Sequence, residues 1–166
     1  MGRLAQTLGF TFQQLPPTNV RKYMNQDNID ASVERRNWMY ATFDANKKER
    51  DERLLSSHSL LLEIDIGDAF SAGAWISTIV LACAAIEAKV RQIDTENYES
   101  KLTALLKWNS ELRWLTDMTN EIMHAGKPGS KSKIWKANPN DLSACHAALE
   151  TDARRAITVM FKTLYG

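Results

Sequence analysis

AGAWISTIVLACAAIEAKVRQ, residues 72–92, is the stretch on which the fold turns. Trp75, Ile79, Ala82, Cys83, Ile86 and Val90 recur mostly three and four residues apart, so they share one face of a helix. Alanines at 82, 84, 85 and 88 let a neighbouring helix approach closely. The uncharged run from Ala69 to Ile86 is marginal in length for a membrane span and is diluted by Ser71, Gly73, Ser77 and Thr78. It reads as a central helix packed on all sides.

On the N-terminal side, Gly67-Asp68 and Gly73 bracket a short break, and Leu54-Leu55, Leu60-Leu61-Leu62, Ile64 and Ile66 form an apolar stripe before it. The mixed charges of Lys47 to Arg53 suit a solvated helix face. Ile29, Val33, Trp38 and Phe43 recur at looser helical spacing. Residues 1–28, with Gly2, Gly9 and Pro16-Pro17, read as an irregular N-terminal arm, leaving 29–166 as a single domain. Met1 to Leu15 lacks the continuous apolar block of a signal peptide.

On the C-terminal side, Tyr98 to Lys107 predicts a short helix. Ser110 is placed to cap the next one, with Leu112, Leu115, Met118 and Ile122 inward and Gly126 closing it. A loop over 127–140 precedes a last helix capped by Asp141 or Ser143 and carrying Leu149, Ala153, Ile157, Met160, Phe161 and Leu164. No segment alternates as a strand does. The expectation is all-α, a bundle of four or five helices.

With 166 residues the chain is the size of one domain, and 44% apolar with 25% charged residues is ordinary for a globular protein. A net charge of +1 points to no global attraction for nucleic acid or membrane, so electrostatic recognition has to be local. Cys83 and Cys145 make no disulfide framework, which fits a reducing cytoplasm. Cys145 and His146 are adjacent on a helix and point apart, so no metal site is expected, and no cofactor motif is present.

Two segments together resemble the HEPN superfamily, small helical bundles named for higher eukaryotes and prokaryotes nucleotide-binding. Asp68 to Glu87 looks like the Gly-aromatic, Ala-rich helix of stand-alone bacterial members, and Thr119-Asn120-Glu121-Ile122-Met123-His124 looks like the R-N/D/H-x-x-x-H helix end. The resemblance covers about 54–165. It implies a homodimer and, in active members, a metal-independent ribonuclease in which arginine holds the phosphate and histidine assists proton transfer. Asn120 and His124 match that pattern, whereas Thr119 stands where it has arginine. Losing a group that stabilises an anionic transition state costs on the order of a hundredfold or more in rate.

The resemblance therefore points to a degenerate HEPN-like module that binds nucleic acid, a nucleotide or a protein partner, in a bacterial defence or toxin–antitoxin setting. The alternative is an active ribonuclease using Asn120 and His124, with Arg113 or a partner subunit supplying the charge. A third reading is a structural all-α subunit. The residues themselves leave both roles open for His124, a ligand-binding or catalytic group or simply a histidine set against a helix C-terminus. Lys127, Lys131, Lys133, Trp135 and Lys136 form the best local nucleic-acid signal, phosphate contacts beside a stacking ring, and equally suit a solvated loop. Trp38, Trp75, Trp108 and Trp114 are expected as core or interface anchors, Trp114 and Met118 being the candidates for a dimer contact.

Overall fold

A computed structural model describes residues 26–47, 57–93, 96–124 and 142–166. Among them the chain is all-helical, with six helices and no strand: α1 (Gln26–Asn46), α2 (Ser57–Ser71), α3 (Trp75–Ile93), α4 (Tyr98–Trp108), α5 (Ser110–Met123) and α6 (Leu142–Tyr165). The all-α bundle expected from the sequence is present, with six helices where four or five were expected. No helix among the described residues is long and apolar enough to cross a membrane.

α3 is the central pillar. It packs most extensively on α2 and α6 and also touches α4 and α5, while α1 lies across α2 and α6. Its inward residues are those expected, with Ile79, Ala82, Ala85 and Ile86 essentially inaccessible. Ile66 and Phe70 of α2, Leu112 and Leu115 of α5, and Ile157, Met160 and Phe161 of α6 complete one continuous core. Each such side chain contributes roughly 1.5–3 kcal/mol through removal from water.

Boundaries differ from expectation in ways with local causes. α1 starts at Gln26 rather than Ile29, with Asp27 in its first turn, where a carboxylate favours the helix dipole. Gly67 and Asp68 do not interrupt α2, because Ile66 and Phe70 on either side are both fully buried and hold the helix to the core. The break is confined to Ala72, Gly73 and Ala74. There Gly73 donates to Phe70 O and Ala74 to Ala69 O, a Schellman closure, with Gly73 at φ +75°. The remaining carbonyl, of Ser71, accepts two hydrogen bonds from the Arg35 guanidinium at 2.8 and 3.1 Å.

Asn109, not Ser110, caps α5, its side chain accepting from Leu112 N at 3.0 Å. An amide reaches the third residue on as well as a hydroxyl does. Ser143 lies within α6 and so is not its cap. Asp141, Gly126 and the charged run after Lys47 fall outside the described residues.

Candidate functional site

At the end of α5 one of the three motif positions faces inward and two face outward. Thr119 is half-buried and turns its Oγ1 inward, where it has no hydrogen-bond partner among the described residues. It lies beside Cys83, whose thiol burial pushes above its ordinary range, with Thr119 and Thr116 opposing that rise and Glu87 adding to it. Asn120 and His124 are exposed. His124 is the C-cap, at φ −117° and ψ 22°, and its backbone N–H donates to Asn120 O at 3.0 Å. That bond keeps the backbone of His124 one helical turn beyond Asn120.

Arg113 is engaged elsewhere. Its guanidinium donates to Leu106 O at 3.1 and 3.0 Å and to Lys107 O at 3.1 Å, closing the C-terminus of α4. Three hydrogen bonds from one guanidinium to two carbonyls is a structural duty, the side-chain counterpart of a C-cap. Lys127, Lys131, Lys133, Trp135 and Lys136 lie outside the described residues.

Two arginines of α6 are likewise bound. Arg155 meets the Glu111 carboxylate through two bonds of 2.8 Å and lies 3.9 Å from the Trp114 ring centroid. That contact covers one of the two residues suggested for a dimer. The Arg155 hydrogen bonds hold the Glu111 carboxyl below its usual range. Arg154 bonds Glu34 and Glu150 and lies 4.8 Å from the Trp38 ring and 5.4 Å from Phe70.

This second cluster was not foreseen. Trp38, Phe70, Trp75 and His146 follow one another at centroid spacings of 5.4 to 5.5 Å, with Arg35 over Trp75 at 5.3 Å. The Trp75 indole donates to His146 Nδ1 at 3.2 Å. Only the scattered tryptophans signalled it in the sequence, because the contacts join residues up to 120 positions apart. Every guanidinium in it is stacked or paired, so the cluster fastens α1, α2, α3 and α6 together and offers no free charge to a ligand. No group of three or more histidine, cysteine or acidic residues gathers among the described residues.

The surface least explained by packing lies between α1 and α2. Met39, Tyr40 and Phe43 face Leu60 and Ile64 across a groove of about 520 Å³ floored by Phe161. Leu61 and Ile64 are 61% and 62% exposed, and Tyr40 is 61% exposed. One end of the groove is marked by Arg36 and Asp68, 3.5 Å apart. Glu63 lines it as well, held by the Tyr165 hydroxyl.

No family model, curated protein or solved structure matches the chain. Its site has to be read from this geometry alone. On that basis the apolar α1–α2 groove is the candidate binding surface. Spacing alone does not single it out, since Leu60, Leu61 and Ile64 belong with Leu62 and Ile66 to one apolar stripe. Five apolar residues in seven cover more than one helix face, and that excess was the available signal.

Proposed function

We propose that this chain is a non-catalytic helical assembly module, a degenerate HEPN-like bundle that recognises protein rather than RNA through its α1–α2 face. The observation that carries this reading is the run of Leu60, Leu61 and Ile64 standing exposed beside an apolar groove. Contiguous exposed apolar surface of this kind, rimmed by charge, marks protein contact sites. RNA recognition asks instead for cations that are free to meet phosphates. Arg35, Arg113, Arg154 and Arg155 are all committed to protein partners.

The inward Thr119 supports loss of catalysis, because the position next to Asn120 points toward Cys83 and not toward a substrate. A second reading, a metal-independent ribonuclease, is favoured by one observation: Asn120 and His124 are both exposed at one helix end. The test is cleavage of a mixed RNA pool in EDTA by wild type beside His124→Ala. Neither protein is expected to cut. Wild-type cleavage that disappears in His124→Ala would replace the assembly reading with the ribonuclease.

A further inference from the structure

We infer that the α1–α2 face docks onto a second copy of this chain, head to tail, at a cleft between α3 and α4 of that copy. The inference rests on the reading of the α1–α2 face as the assembly surface, and it commits that surface to one occupant. Shape and charge select it together.

Among the described residues two apolar features have no helix over them. One is the ridge of Leu61 and Ile64 on α2, both more than half exposed, beside the groove already described. The other is a cleft of about 410 Å³ where the C-terminal ends of α3 and α4 meet, lined by Val90, Ile93, Ala104, Leu105 and Trp108. Ile93 is 56% exposed and Trp108 82%, so this tryptophan anchors no core. Tryptophan is among the residues most enriched as interface anchors. The α1–α2 groove, about 520 Å³ and walled by Met39, Tyr40, Phe43 and Leu60, has room for its indole. With that ring seated, Leu61 and Ile64 of one copy lie against Ile93 and Leu105 of the next. Each feature supplies what the other lacks, a ridge for a groove.

Charge sets the pairing. α2 carries Glu63, Asp65 and Asp68 and neither lysine nor arginine. Asp65 and Asp68 stand four residues, about 6 Å, beyond Leu61 and Ile64 on the same helix face. Lys101 stands four residues before Leu105, at a cleft that no carboxylate lines among the described residues. Lys107, 5.2 Å from the Trp108 ring centroid, adds a second cation to that rim. Laid antiparallel with their apolar residues matched, α2 of one copy and α4 of the next bring Asp65 and Lys101 into register. Arg36 answers Asp68 within each copy, and Asp65 takes Lys101 of its neighbour. Two α2 faces set together would oppose carboxylates, and two clefts would oppose lysines, so like-with-like pairing is disfavoured. The groove and the cleft share no residue, so one chain can engage a neighbour at each. Such a contact closes into a ring or extends into a filament.

Analytical ultracentrifugation of the full-length chain over about a hundredfold range of concentration tests this. Ile64→Lys blocks the α1–α2 face, and Trp108→Ala removes the anchor at the cleft. Both side chains are largely exposed, so the substitutions spare the core, and unchanged helical circular dichroism verifies that. Wild-type mass is expected to climb with concentration to twice the monomer or beyond. Each variant alone should stay monomeric. An equal mixture of the two should form a one-to-one pair and stop there, because Ile64→Lys keeps an intact cleft and Trp108→Ala an intact α1–α2 face. A wild type that stays monomeric throughout would overturn the inference, as would either variant assembling like wild type. Monomeric variants whose mixture also stays monomeric would overturn the head-to-tail pairing. Failure of the assembly reading is registered separately, by His124-dependent RNA cleavage.

Discussion

Thr119 carries a hydroxyl into the interior, where it has no hydrogen-bond partner among the described residues. Thr119→Val removes that unsatisfied group and is expected to leave stability unchanged or raise it by up to about 1 kcal/mol, read from chemical denaturation. Thr119→Arg must bring a guanidinium toward Cys83 and should cost about 2–4 kcal/mol without creating nuclease activity. A stable, active Thr119→Arg protein would show that position 119 faces a substrate after all. Cys83 offers a chemical check on the same region. It is buried, and burial raises its thiol above the ordinary value. A thiol-specific reagent at pH 8 should therefore modify Cys145 well before Cys83 in the native protein, and both together in denaturant.

Between α4 and α5 two side chains do what a turn sequence usually does. Asn109 caps the start of α5 and Arg113 closes the end of α4. Asn109→Ala should cost about 1 kcal/mol, whereas Arg113→Ala should chiefly speed amide exchange in α4 while α3 and α6 hold. Glu111 and Arg155 tie α5 to α6 and give a pH signature. Because Arg155 lowers the folded Glu111 value, the contribution is complete above the ordinary carboxylate range and fades as pH falls through the lowered value. The thermal midpoint gap between wild type and Glu111→Gln should close on acidification from pH 7 to 3. Asp152 acts in the opposite sense, since burial raises its carboxyl against the opposing pull of Arg155. At this scale much was legible in advance. Helical period and inward apolar residues of α3, α5 and α6 followed from spacing alone, because a helix states its buried face locally. What spacing left out was the choice of cap at Asn109 over Ser110, the continuation of α2 through Gly67, and the direction of Thr119. The cap is a local choice between two adjacent residues that can both serve, and the other two depend on which neighbouring helix lies alongside.

Across the whole molecule α1 is held by the last helix. Arg154 of α6 reaches Glu34 and covers Trp38, and Phe43 packs edge-on to both Phe161 and Tyr165 at centroid distances of 5.3 and 5.1 Å. Arg154→Met keeps much of the apolar stem and removes the fork. It is expected to loosen α1 selectively, with faster amide exchange across residues 30–43 and a loss of about 1–3 kcal/mol. Equal acceleration in α3 would mean that α1 is integral to the core rather than clamped onto it. The cluster of stacked arginines left only its scattered tryptophans as a sign in the sequence for the same reason that this clamp was hidden: it joins side chains from helices far apart in the chain. That separation has a consequence in time. Glu34 and Arg154 are 120 residues apart, and a ribosome adding about 5–20 residues per second takes roughly 6–24 s to cover the distance. Throughout that interval Trp38 and Phe43 have been synthesised and their α6 partners have not. Newborn chains must wait with an aromatic face unsheathed, so this protein should lean on holding chaperones during translation far more than its size suggests.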